Sequence, residues 1–513
     1  MSGAGSNSAI VFFLLFIAAT LAITWWAARR TNSTESFFAA GHRITTWQNG
    51  FALAGDFIAG SAFLGITGIA ALSGFDALVF AVAMTVAWPL MLFLFAEPLR
   101  ALGKYTFADV IEHRLGNSRI KGWTALVTIV SIFTILTFQM AGAGAVIKLL
   151  FGLPYWQSVA LIGVFMLVYV LFGGMIATTW VQIIKMGLLL AVTVLLIGLV
   201  LARYGYSPGA VLAAAAERGG AKVLGPGGSM NALQLFSLGF STTIGVTSLP
   251  QILLRFYTVP DPGVARRSLL VACCIIGLSV LCFVFLGYGI MATLGGDAVR
   301  AVDRGGNMAV PMLAEHFGGP ILLGFVGAVC FATILAAVCG ILLAGSAALA
   351  HDFWSGVVRG GKGSEKEEFL VARLATVLLC IGGVALAIMV EGQNIFVLSS
   401  ISATIAASTI FPTLILSIYW RGLTYAGTVA GLAFGLVVGL TLLYMGPLVQ
   451  MQMLGRPAPM IALAAPAIIT VPLSFIVMWV VSLMTSPGVA GERYDEILNR
   501  TGAGWGASPA PGE

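Results

Sequence analysis

Runs of about twenty apolar residues recur thirteen times along this chain, separated by short polar connections. They fall near residues 9–28, 47–73, 76–97, 122–148, 157–174, 179–202, 231–254, 268–294, 319–350, 369–391, 395–419, 423–446 and 462–485. As helices rising about 1.5 Å per residue, such runs match the roughly 30 Å hydrocarbon core of a bilayer. The pattern predicts an all-α polytopic membrane protein with thirteen transmembrane helices.

Two runs depart from the aliphatic pattern. The second contains Gly55-Asp56-Phe57-Ile58-Ala59-Gly60-Ser61-Ala62 and closes on Gly65-Ile66-Thr67-Gly68. The seventh contains Gly239-Phe240-Ser241-Thr242-Thr243-Ile244-Gly245-Val246-Thr247-Ser248-Leu249-Pro250. Irregular backbone at membrane depth survives only where protein or a water-filled cavity covers it. Broken helices at matching positions of two repeats are the mark of secondary transporters, whose sites they build. The two runs lie five spans apart, so spans two to six and seven to eleven are expected to form a 5+5 inverted repeat. The plainer reading is that these small residues are close helix-packing surfaces.

One membrane domain is expected over residues 1–486. It comprises a first helix at 9–28, repeat one at about 47–202, repeat two at about 231–419 and two C-terminal helices at about 423–485. The Gly- and Pro-rich tail, 487–513, is expected to be cytoplasmic and disordered. Tyr105–Leu115 reads as a short amphipathic helix on the inner membrane surface.

Charge sets the orientation. With the N-terminus outside and the C-terminus inside, nineteen of the twenty-six Lys and Arg residues fall on the cytoplasmic side or near it. That asymmetry satisfies the positive-inside rule and accounts for the net charge of +6, so nucleic-acid binding is not implied. Only 9% of residues are charged and the mean hydropathy is +1.01. The first run has Arg29-Arg30 after it and no basic residue before it, the reverse of a cleavable signal. All six cysteines lie inside predicted spans, and the four histidines show no ligand spacing. A disulfide framework, a metal enzyme and an obligatory protein partner are therefore not expected; the bilayer is the surrounding.

Within the spans, charged residues are functional candidates by default. Asp56 sits about 13 Å inside its helix if that helix starts near Trp47. It could bind a cation, titrate, pair with Lys185 or cap the helix break. Lys185 lies toward the inner end of the sixth span, where it could snorkel to the surface or point inward.

The stretches AGDFIAGSAFLGI, GKYTFADVIEHRL, YVLFGGMIATTWVQIIK and FATILAAVCGILLAGSAALAHD resemble the sodium:solute symporter family, as does Leu249-Pro250-Gln251-Ile252-Leu253-Leu254-Arg255-Phe256. Within that family the chain is most similar to the cation/acetate symporter branch. The resemblance implies a LeuT-type fold, a bacterial-type inner membrane location, no enzymatic activity and no cofactor. It implies symport of acetate or another short monocarboxylate with Na+, and H+ is the alternative coupling ion. By the same resemblance the sodium site falls on Gly55, Ile58, Thr333, Ala336 and Ala337. Relatives place hydroxyls where this chain has Ala336 and Ala337, and an Asp and a Gln where it has Gln182 and Lys185. The Lys185 ammonium is thus a candidate occupant of the vacated position, coupling through Asp56 and Lys185.

For a carboxylate solute, Ser61, Ser241, Thr242, Thr243, Thr247 and Ser248 offer hydroxyl donors at the breaks, and Ala62 and Gly245 leave room for a methyl group. Gln139, midway along the fourth span, is either a further donor or a helix–helix hydrogen bond. A carrier for another small solute and a passive acetate channel are the competing functions.

Overall fold

The computed structural model describes residues 38–226, 231–391, 395–486 and 488–502, with scattered positions between Val11 and Trp26. The expected first helix at 9–28 thus lies outside the described residues apart from those positions. Fifteen helices carry the argument: α1 (Thr46–Phe57), α2 (Thr67–Ser73), α3 (Asp76–Leu94), α4 (Phe107–Leu115), α5 (Ile120–Phe151), α6 (Tyr155–Arg203), α7 (Ala232–Val246), α8 (Pro250–Leu253), α9 (Pro262–Thr293), α10 (Ala309–Ala347), α11 (Glu365–Ile388), α12 (Ile395–Tyr419), α13 (Tyr425–Met445), α14 (Ala467–Leu483) and α15 (Val489–Gly502).

Nine of the described helices are long and apolar enough to cross a membrane, or ten if the bent pair formed by α1 and Ala62–Ser73 counts as one span. Three expected spans fall outside that number. One is the undescribed first helix. The other two contain the shorter apolar helices Tyr155–Leu167 and Ala467–Leu483. Spans five and six share one helical segment, α6, from Tyr155 to Arg203, whose two apolar parts are Tyr155–Leu167 and Met175–Arg203. The tail also departs from expectation. Residues 489–502 form α15, and Arg114 explains why: its guanidinium donates to the Ala490 carbonyl and to Arg421 O at 2.8 Å. Arg493 Nη1 donates to His113 O at 3.0 Å, so the tail helix is fastened to α4 rather than released to solvent.

Both breaks occur where the sequence places them, by different local means. The two interrupted segments open on the same device, a capping box that pairs Thr45 with Gln48 and Asn231 with Gln234. Each box satisfies N–H groups that a helix start leaves without partners. α1 ends at Phe57, where Ile58 turns to φ −76°, ψ 75°; a π-turn over Ser61–Ile66 then leads into α2 with a bend of 54°. α7 ends at Val246, and Leu249 is extended at φ −67°, ψ 123°. The cause is Pro250, whose ring excludes the α conformation from the residue before it and suits the first position of α8.

α10 is the central post, with 78% of its apolar window buried. It packs on α6, α5 and α11, while α1 lies between α9 and α6 and α7 packs on α12 and α3. Small residues permit these approaches. A Cβ on Gly55 would stand 2.7 Å from Gln182 O, and one on Gly340 would stand 2.9 Å from Asp56 Oδ1.

Candidate functional site

At the first break the end of α1 is pressed between α6 and α10, and its one carboxylate is thereby buried. Asp56 Oδ2 accepts from Arg255 Nε, and Asp56 Oδ1 accepts from Gln182 Nε2. Gln182 Nε2 also donates to Ala336 O at 2.8 Å, and Arg255 Nη1 donates to Thr179 Oγ1 at 2.6 Å. Arg255 belongs to the short 3-10 turn that follows α8, so the pair ties the first broken helix to the second. The Asp56 and Arg255 side chains are 2% and 1% exposed, so the pair is dry, and breaking such a pair leaves an uncompensated charge.

Lys185 settles differently from its surface reading. It is fully buried, and its Nζ donates to Thr333 O at 2.9 Å. It therefore points inward rather than to the surface, and its Nζ sits on Thr333 O rather than in an ion pair with Asp56 among the described residues. Gln182 and Lys185 stand three residues apart on α6 and occupy successive α10 carbonyls, those of Ala336 and Thr333. The Thr333 hydroxyl is spent on Cys330 O at 2.7 Å. Gly55, Asp56, Ile58, Thr333, Ala336, Ala337 and Lys185 are all buried around this junction. Gln182 Oε1 and Arg255 Nη2 are buried there without partners among the described residues.

Beside Asp56 lies a cavity of about 50 Å³, walled by residues of α1, α3, α5, α7, α8, α10 and α12. Its polar wall includes Gln139, Thr242, Gln251 and Ser402; Phe57, Met84, Phe138, Ile252 and Ile341 make much of the apolar remainder. Of the expected solute contacts only Gln139 and Thr242 line it among the described residues, and the Ser61 side chain lies outside them.

The other hydroxyls are turned inward. Ser241 pairs with Thr404 Oγ1 at 2.8 Å and Thr243 donates to Ala83 O at 3.0 Å. Thr247 and Ser248 both donate to Ile244 O, at 2.6 and 3.0 Å. In a water-poor helix a hydroxyl takes the carbonyl one turn back, which makes it a packing group. Ala62 is fully buried, and Gly245 abuts the Ala403 backbone. These six positions are therefore wall structure rather than lining.

Sequence reasoning named three residues here without giving them a role at the site. Gln182 was detectable, since three residues from Lys185 on a helix means the same face. Arg255 was counted with the cytoplasmic basic residues, because linear distance from the span end hides the fold-back after Pro250. Gln251 lay inside a quoted motif without a role.

At the end of the bundle away from the cavity a second polar cluster fastens α4. Asp109 Oδ2 accepts from the backbone N–H groups of Lys104, Tyr105 and Thr106, at 3.2, 2.8 and 3.1 Å. Asp109 Oδ1 meets Lys121 Nζ at 2.8 Å and His351 Nε2 at 3.0 Å. Burial by itself would raise the Asp109 carboxyl, but the hydrogen bond and charge of His351 and the Lys121 ammonium outweigh it and hold it well below the usual carboxylate range. Asp109, His351 and Asp352 stand close enough to share a metal ion, with ligand atoms within 4.8 Å of one another. The Lys121 ammonium already supplies the positive charge on Asp109, so the cluster is read as an anchor.

Comparison with known proteins places the chain. The sodium:solute symporter family model matches residues 37–435. A Bacillus subtilis protein described as the uncharacterized symporter YwcA is 41% identical over 485 residues, covering 93% of this chain and 94% of that one. Among solved structures, a Na+-coupled sialic acid symporter in a substrate-bound outward-open state superposes with a TM-score of 0.78 at 14% identity, covering 94% of this chain and 98% of that one. MhsT in complex with L-phenylalanine superposes at 0.52, also at 14% identity, covering 90% and 99%. These neighbours show an all-helical, LeuT-like fold. The chain belongs to the sodium:solute symporter family.

Proposed function

We propose that this symporter imports acetate and similar short monocarboxylates across a bacterial-type inner membrane, through thirteen spans with the N-terminus outside and the C-terminus inside. The observation that carries the reading is the cavity beside the first break. At about 50 Å³ it is smaller than two waters' share of liquid volume, and far below the roughly 300–1,000 Å³ of drug-sized ligand sites. In this conformation it accommodates a solute of a few heavy atoms, with polar groups for one end and aliphatic and aromatic groups for the other. Charge agrees with size. Asp56 is the one charged residue of the wall, and Arg255 and Lys185 behind it bring the buried junction to a sum of +1, which favours an arriving anion.

Family membership implies sodium as the coupling ion. Proton coupling is a second reading, favoured by one observation. The Lys185 ammonium sits on Thr333 O, and Gln182 takes Ala336 O, so two α10 carbonyls a sodium ion could use already have donors. One cation per monocarboxylate is electroneutral, and each further cation would add about 2.3 kcal/mol per 100 mV of membrane potential.

The test is uptake of labelled acetate into proteoliposomes under a sodium gradient or a pH gradient, imposed separately. Passive acetic acid permeation is subtracted with protein-free vesicles. Accumulation driven by sodium supports the family's ion, and accumulation driven only by the pH gradient supports the second reading. Equilibration without accumulation would leave a channel, and no uptake of any short monocarboxylate would refute the substrate class.

A further inference from the structure

Two glutamines in the cavity wall are chemically unfinished. Gln139, from α5, is 4% exposed, and Gln251, from α8, is 8% exposed. Gln139 Oε1 and Gln251 Oε1 are both buried without a hydrogen-bond partner among the described residues. Buried side-chain amides in native proteins are nearly always paired, so two orphans on one small cavity call for a common explanation. The amide NH2 is a donor and an amide turns to suit its hydrogen-bond network, so each glutamine can present its NH2 to the cavity it lines. The Thr242 hydroxyl lines the same space.

We infer that Gln251, together with Gln139 and Thr242, is a solute ligand that grips the carboxylate of the transported acid. A carboxylate has two oxygens and accepts only, and two amide NH2 groups with one hydroxyl match that need without placing a bare positive charge in the cavity. Asp56 borders the same space, but its charge is balanced by Arg255, so it does not repel an anion. The alkyl end of the acid then meets Phe138, Ile252 and Ile341.

Position gives Gln251 a second significance. It is the residue after Pro250, the proline that breaks the seventh span, and it lies four residues before Arg255. Solute held by Gln251 therefore pulls on the same short segment that carries the partner of Asp56. The inference rests on the reading of this cavity as the monocarboxylate site, and it adds the residue that recognises the solute.

The experiment compares labelled-acetate uptake by wild-type proteoliposomes with Gln251→Met, which keeps length and removes the amide. Hydrogen bonds to a charged group are strong enough that losing one should raise KM about tenfold or more. Maximal rate per inserted protein should change much less. Gln139→Met should shift KM in the same direction. If Gln251→Met fails to insert, Gln251→Asn carries the test, because the shortened amide retreats from the solute and should also raise KM. An unchanged KM in an inserted Gln251 variant, with wild-type accumulation intact, overturns the assignment and leaves the symport reading standing. Absence of wild-type uptake for every short monocarboxylate overturns both.

Discussion

Removing the charge of Asp56 should destabilise the protein far more than its single atom change suggests. In the wild type the buried charges of Asp56, Arg255 and Lys185 sum to +1; Asp56→Asn raises the sum to +2 within one dry junction. Stripping one partner from a buried ion pair costs about 3–5 kcal/mol, most of it from the charge left behind. The same argument sets the rescue. Arg255→Met alone leaves the carboxylate facing only Gln182, and it should cost a similar amount. The double variant Asp56→Asn/Arg255→Met removes both charges and keeps the arginine's aliphatic bulk. It should therefore be no less stable than either single variant, which gives a coupling energy of at least about 3 kcal/mol. Thermal unfolding of the four proteins in one detergent, followed by tryptophan fluorescence, measures the cycle. Gradient-driven accumulation should be abolished in Asp56→Asn and stay abolished in the stable double variant, because the tie between the two broken helices is gone. Additive losses within about 0.5 kcal/mol would refute the pairing as an energetic unit. Concentrative uptake by Asp56→Asn would remove Asp56 from the coupling machinery.

Three further outcomes are expected. Lys185→Met should shift the pH profile of uptake, since it removes the buried amine that donates to Thr333 O; an unchanged profile at an unchanged rate would exclude Lys185 from coupling. Gly55→Ala should cost about 1–3 kcal/mol of stability and slow uptake, because its methyl group would meet Gln182 O at 2.7 Å; wild-type melting would show that α1 and α6 can part. Asp109→Asn should expose the Lys104–Thr106 turn to trypsin at Lys104, read by limited proteolysis of inside-out vesicles. Asp109 has a depressed pKa, so its contribution is fully present above the unfolded carboxylate value near 4 and is lost only as pH falls toward the folded one. Wild-type protection should accordingly hold at pH 5, and loss of protection between pH 7 and pH 5 would contradict the anchor.

Hydrophobic runs of bilayer length, the two Gly/Ser/Thr interruptions and the Leu249-Pro250 stop were all readable from the chain, because membrane crossing and proline sterics are local constraints. So was the family, and with it the transporter class. The partners at the breaks were not readable. Asp56 meets Arg255 across 199 positions, and Lys185 meets Thr333 across 148, so no spacing along the chain announces either contact. Hydroxyls that looked like solute donors turned out to be satisfied by carbonyls one turn back or by neighbouring helices, a choice set by which face each helix buries. Gln251 became a candidate only when folding placed it on the same small void as Gln139 and left both amides without partners. Sequence by itself determined that the chain is a membrane protein and where two of its apolar runs break; only the packing of α1, α6, α8 and α10 decided which buried charges and amides face one another, because each such pair is made by residues far apart in the chain.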